Sequence, residues 1–150
     1  MRIVIQRVKR ASVTIGGQLR SKIGPGLMVL VGVREGDTAQ DAAWLAQKTV
    51  NMRIFDDDKG VMNLSVLQAG GDVLAVSQFT LNASTRKGNR PSYIHAAGHA
   101  VAIPMYETYC AEVSKLLGHP VKTGEFGADM QVELINDGPV TIIVDSLLKE

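Results

Sequence analysis

Ser77, Gln78 and Thr80 are the side chains with the most chemistry to offer, because they fall at alternate or adjacent positions where the apolar run from Val73 turns polar. A strand that is buried at its start and surfaces at its end delivers such groups to a cleft. The chain has no phosphate loop, no Rossmann glycine fingerprint, no nucleophile elbow and no cysteine–histidine pair at a recognisable spacing. A hydrolase built from what is left must rely on hydroxyls, amides and backbone N–H groups. Donors at a strand end can form an oxyanion hole, where one lost donor costs about 3 kcal/mol of transition-state stabilisation. Thr80 as nucleophile needs a base, and none lies near it in sequence.

The second stretch of interest is Asn136-Asp137-Gly138-Pro139-Val140-Thr141, which interrupts two alternating apolar patterns, Met130, Val132, Leu134 before it and Val140, Ile142, Val144 after it. The flanks read as strands and the Gly-Pro pair as a hairpin turn between them. The sharper reading is a cis Gly138–Pro139 bond, which would orient successive carbonyls alike as a rigid pair of acceptors for an amine. Arg86, Lys87 and Arg90 cluster in a polar loop from Asn82 to Ser92, either as a solvated surface or as phosphate contacts.

Metal chemistry finds little support. Asp56-Asp57-Asp58 lacks the glutamate and spacing of a calcium loop and reads as a solvated turn. His95 and His99 are four apart and could share a helix face, without the glutamate of a zinc-protease motif. Cys110, the single cysteine, falls on the apolar stripe Ile103, Tyr106, Cys110, Val113, Leu117 and reads as core. No metal or cofactor enters this reading.

Periodicity supplies the framework that holds these groups. Ile3 to Val8 reads as a strand, and Ser12 to Ile15 and Gln18 to Ile23 flank a Gly16-Gly17 hairpin signal. Leu27 to Val33 has no polar alternation, as expected of a central strand covered on both faces. A capping box at Thr38 and Asp41 starts a helix to about Met52, and the stripe from Ile103 to Leu117 predicts a second, with Pro104 in its first turn. The expectation is one mixed α/β domain over residues 1–150, with a mostly antiparallel, barrel-like sheet and two main helices. A 45% hydrophobic and 21% charged composition is that of an ordinary globular protein, and a net charge of +1 confines any nucleic-acid contact to a local patch. Apolar runs are too short for a membrane span and the N-terminus carries no signal-peptide pattern, so the cytoplasm is the expected compartment.

Three stretches together resemble one family: Ser77-Gln78-Phe79-Thr80-Leu81, Lys87-Gly88-Asn89-Arg90-Pro91-Ser92, and Phe126-Gly127-Ala128 leading through Met130 to Asn136-Asp137-Gly138-Pro139-Val140-Thr141. In this the chain is similar to D-aminoacyl-tRNA deacylases of the bacterial and eukaryotic type, from Met1 to about Ser146. The resemblance implies a homodimer with its active site at the subunit interface, in which Gly138 and Pro139 of one subunit screen the α-carbon of the aminoacyl group bound by the other. It implies hydrolysis of the ester at the 3′ end of D-aminoacyl-tRNA, with leakage of the glycyl ester. Backbone groups of Phe79 and Thr80 would hold the oxyanion, Gln78, Ser77 and Met130 would line the site, Arg7 would brace the Gly-Pro segment, and Arg86, Lys87 and Arg90 would contact tRNA. Tyr93 departs from the phenylalanine common at its position. Two other readings stand beside this one: a same-fold editing enzyme with a trans Gly-Pro bond acting on L-alanyl-tRNA, and a dimeric nucleic-acid-binding module without turnover.

Overall fold

Two apolar faces on the same strands decide the architecture. In the computed structural model, which describes Met1–Glu150, β3 (Gly26–Gly32) and β6 (Asp72–Ser77) run parallel through the middle of a six-stranded sheet. Leu27, Val29, Val31, Val73 and Ala75 point into one core, and Met28, Leu74 and Val76 into a second. The unalternating sequence of these strands is the consequence of burial on both sides.

The first core lies under α1 (Ala39–Asn51) and α3 (His99–Leu117), the two main helices; α2 (Val66–Ala69) is a single turn. Thr38 N–H donates to Asp41 Oδ2 at 2.8 Å, the capping box that the sequence predicts. The helices are tied to each other by a buried pair of hydroxyls, Thr49 Oγ1 and Tyr109 Oη, 2.8 Å apart. Tyr106 Oη donates to Ala75 O at 2.8 Å and so ties α3 to the sheet.

The second core is enclosed by the sheet curling on itself. β1 (Arg2–Ile15) pairs antiparallel with β3 through its first half and with β2 (Gln18–Ile23) through its second, while β8 (Gln131–Asp145) runs along its other edge. β1 sends Ile3 and Ile5 to the first core, then changes phase through register shifts near Val8 and sends Val8, Ala11 and Val13 to the second. β7 (Lys122–Thr123) adds to β6, and Ser21 Oγ donates to Thr123 O at 2.7 Å, linking β2 to β7 across the curl. A small ladder of β4 (Phe55–Asp56) and β5 (Met62–Leu64) stands apart. No helix is long and apolar enough to cross a membrane.

Four sequence expectations change. Ile3–Val8 and Ser12–Ile15 are parts of one strand, because the bulges bend β1 without ending it. The strands flanking Gly138-Pro139 do not form a hairpin: both pair with β1, Val132 opposite Val13 and Ile142 opposite Ile5. The motif is therefore an outward bulge within a single 15-residue strand. β6 stops at Ser77, and Phe79–Asn82 is a 3-10 turn. Finally, α3 begins at His99 behind a Gly98 cap, so Pro104 lies beyond its first turn, and His95 precedes the helix and shares no face with His99.

Candidate active site

The polar end of β6 takes its shape from the turn beyond it. Gln78 N–H still donates to Val31 O at 2.8 Å, the last bond of the ladder, and Leu81 N–H then bonds back to Gln78 O at 3.3 Å. The turn can lie on β3 because Gly32 has no side chain: a Cβ there would stand 3.0 Å from Leu81 Cβ and 3.1 Å from Gln78 O. Asn82 closes the turn from within the protein, 5% exposed, its Nδ2 donating to Val33 O at 3.0 Å.

Ser77, Gln78 and Phe79 line one side of a cleft of about 330 Å³, and Phe126, Met130 and Val132 line the other. Phe126 is wedged edge-to-face against His99, centroids 5.5 Å apart, and tilted against Tyr106 at 5.9 Å. The cleft wall thus rests on α3, whose Tyr106 is bonded to β6. His99 is the one ionisable side chain lining the cleft, and no carboxylate lines it. The Gln78 amide donates to the Thr80 hydroxyl, and no charged side chain hydrogen-bonds that hydroxyl. Thr80 adjoins the cleft through Gln78 and is not part of its lining.

Phe79 is 54% exposed and meets Tyr93 edge-to-face at 5.0 Å. Tyr93 comes directly after the basic loop, whose ends are closed by paired bonds between Ser84 and Ser92 at 2.8 and 2.9 Å. Arg86, Lys87 and Arg90 are exposed on it and form no ion pair.

Gly138 and Pro139 stand away from the cleft of their own chain, exposed on the β8 bulge, and the bond between them is cis. Asn136 staples the bulge: its Oδ1 accepts from Val140 N–H at 2.9 Å and its Nδ2 donates to Thr141 Oγ1 at 2.9 Å. Arg7, buried at 8% exposure, donates to Asp137 O at 3.0 Å and to Ile54 O at 2.7 Å. Gly138 has φ +133°, and a Cβ there would lie 2.8 Å from Val140 Cγ2 and 3.2 Å from Arg7 Nη2. The Asn-x-Gly-Pro-x-Thr spacing is the sequence pattern of this hydrogen-bonded clamp.

Of the residues singled out in the sequence, Ser77, Gln78, Phe79 and Met130 converge on one cleft, and Gly138 and Pro139 do not join them within the chain. His99 and Val132 are lining residues that sequence reasoning misses, and Phe126, which it singles out only as part of a motif, forms the cleft wall. The signal for His99 is Gly98 as a helix cap, which moves the helix start four residues ahead of Ile103. Cys110 is a core residue, and burial pushes its thiol up to about 11. No group of three or more histidine, cysteine or acidic side chains is placed to hold a metal ion.

Comparison with known proteins shows the family of the chain. Residues 4–145 match the family model described as D-Tyr-tRNA(Tyr) deacylase. The chain is 64% identical over 150 residues, the full length of both, to the D-aminoacyl-tRNA deacylase of Parabacteroides distasonis. Among solved structures, one named c-Myc DNA Unwinding Element Binding Protein superimposes with TM-score 0.91 at 40% identity, over 97% of this chain and 98% of that one. A second, a probable eukaryotic D-amino acid tRNA deacylase, shares the fold at TM-score 0.81 and 16% identity, over 95% of this chain and 97% of that one. With a family model spanning nearly the whole sequence and a full-length relative at this identity, the chain belongs to the D-Tyr-tRNA(Tyr) deacylase family.

Proposed function

We propose that this protein hydrolyses the ester joining a D-amino acid to the terminal ribose of tRNA, releasing free amino acid and tRNA. The observation that carries the reading is the backbone turn Phe79–Asn82 set at the mouth of a cleft that brings no charged side chain to Thr80. Within that turn the first bond is made by Leu81 N–H, so the Phe79 and Thr80 N–H groups precede it and are the donors assigned to the oxyanion. Water attacks the ester carbonyl with the substrate's neighbouring 2′-hydroxyl as its assistant, and the acyl–oxygen bond breaks with the proton passing to the ribose oxygen.

Selection against L-esters is assigned to Gly138 and Pro139 of a second copy of the chain. Their exposure on a clamped bulge, away from their own cleft, supports this. A backbone wall beside the α-carbon rejects a side chain by clash and by unpaired carbonyls, which discriminates more strongly than the roughly 10- to 200-fold available from one methylene. Glycyl esters, with no side chain, pass. Arg86, Lys87 and Arg90 contact tRNA phosphates, and the site of action is the cytoplasm.

The test is incubation with D-tyrosyl-tRNA and L-tyrosyl-tRNA, with and without chelator, monitoring loss of the ester. Rapid loss of the D-ester alone, indifferent to chelator, is expected. Equal loss of both removes the chiral screen, and salt-sensitive binding with no hydrolysis of either leaves a nucleic-acid-binding module.

A further inference from the structure

At the other end of the turn from the cleft lies a second cavity of about 500 Å³, whose lining includes Arg2, Arg34 and Asn82. Asp145, 3% exposed at the end of β8, fills its acceptor sites at its edge: Arg34 Nη2 and Arg2 Nε donate to Oδ2 at 2.6 and 2.8 Å, and Arg34 Nη1 and Leu147 N–H donate to Oδ1 at 3.2 and 2.9 Å. The same two guanidiniums reach the turn. Arg34 Nε donates to Asn82 Oδ1 at 3.0 Å, and Arg2 Nη1 donates to Leu81 O at 3.2 Å. The last two residues of the Phe79–Asn82 turn are thus fastened to β1, to β8 and to the segment after β3 by one charged unit.

We infer that Arg2, Arg34 and Asp145 are positioning residues for the deacylation step, acting through Leu81 and Asn82 on the Phe79–Thr80 backbone; this rests on the reading of that backbone as the oxyanion site. Stability alone is a poor account of the unit. A buried ion network is often replaceable by well-packed apolar side chains without loss, whereas apolar packing cannot prescribe the angle at which a carbonyl is held. Every buried side-chain polar atom in the protein has a partner, so the network is fully satisfied, the condition under which such a network rigidifies and defines its surroundings. An oxyanion site needs that definition, since displacement of its donors by about 1 Å costs on the order of 100-fold in rate. None of the three residues lines the cleft, so their removal leaves the walls that bind substrate in place.

The experiment measures kcat and KM for D-tyrosyl-tRNA, with melting temperature, for wild type, Arg34→Met, Arg34→Lys, Arg2→Met and Tyr109→Phe. Tyr109 bonds Thr49 between the helices, remote from the turn, and serves as a purely structural lesion. Arg34→Met is expected to lower kcat roughly 10- to 100-fold with KM changed less than about twofold. Arg34→Lys recovers part of the loss, because an ammonium keeps the charge beside Asp145 but cannot reach both of its oxygens and Asn82. Tyr109→Phe lowers the melting temperature and leaves kcat in place. The inference is overturned if Arg34→Met keeps its kcat, if the loss appears in KM instead, or if Tyr109→Phe loses kcat in the same proportion to its melting temperature. Should Arg34→Met fail to fold, Arg2→Met decides: a fall in kcat of a few-fold supports the unit and an unchanged kcat sinks it. A wild-type protein that leaves D-tyrosyl-tRNA intact strikes the deacylase reading itself, and the positioning role falls with it.

Discussion

Thr80 sits beside the cleft with its hydroxyl already accepting a hydrogen bond from the Gln78 amide. An alcohol becomes a nucleophile when a base takes its proton, and neither the imidazole of His99 nor any carboxylate is bonded to this one. The bond also fixes Gln78, whose side chain lines the cleft, so Thr80 is read as a residue that shapes the site. Thr80→Val then retains kcat for D-tyrosyl-tRNA within roughly 100-fold of wild type, the scale of a disturbed contact, where loss of a hydroxyl nucleophile costs about 10⁶-fold. Single-turnover ester hydrolysis gives the number, and a loss of the larger size would restore Thr80 as the attacking group. Phe79 makes the complementary point: its ring is largely exposed and braced by Tyr93, and its part in the chemistry is assigned to its N–H.

Among the elements, legibility in the sequence tracks how local the cause is. Leu27 to Val31 and Val73 to Val76 announce strands covered on both faces because each residue meets a core, and Thr38 with Asp41, three residues apart, announces the helix start at Ala39. The Gly138-Pro139 bulge reads as a hairpin in the sequence because a turn and an outward bulge present the same residues, and only the partner differs. That partner, β1, lies more than a hundred residues earlier. The same distance hides the fastening of β8 to the Phe79–Asn82 turn through Asp145, whose neighbours in sequence contain neither arginine. Burial alone would raise the Asp145 carboxyl, but hydrogen bonds from Arg34, Arg2 and the Leu147 N–H outweigh it and hold the group below its ordinary value of 3.8. An aspartate with a depressed folded pKa stabilises the fold above its unfolded pKa, and that contribution is lost as pH falls through the folded value. The melting temperature of the wild type should therefore hold near neutral pH and decline below about pH 4. Asp41 and Asp57 are also depressed and titrate in that window, so the contrast lies with Asp145→Asn: it melts lower at pH 7 and declines less steeply in acid. Parallel acid profiles for the two proteins would count against the assignment.

In the molecule as a whole, the cleft and the Gly138-Pro139 bulge belong to one chain but do not meet in it, and the proposed selectivity requires that they meet between chains. Two lesions separate the possibilities. Ala128→Trp fills the cleft, which Ala128 lines, and leaves β8 untouched. Gly138→Ala places a Cβ 2.8 Å from Val140 Cγ2 and 3.1 Å from Val140 N, so the bulge must shift while the cleft stays open. Each protein alone should lack D-selective hydrolysis. When the two are co-expressed in equal amounts and purified together, random pairing would make half of the proposed dimers mixed, and each mixed dimer would unite the open cleft of one chain with the intact bulge of the other at one of its two sites. D-selective activity should return to about one quarter of the wild-type value, with L-tyrosyl-tRNA spared by those sites. A site complete within a single chain recovers nothing on mixing, because every chain in the sample carries one lesion or the other. Recovery near a quarter would place the screen on the partner; its absence, with mixed dimers demonstrated by differential tags, would place selectivity within the chain and require another wall for the α-carbon.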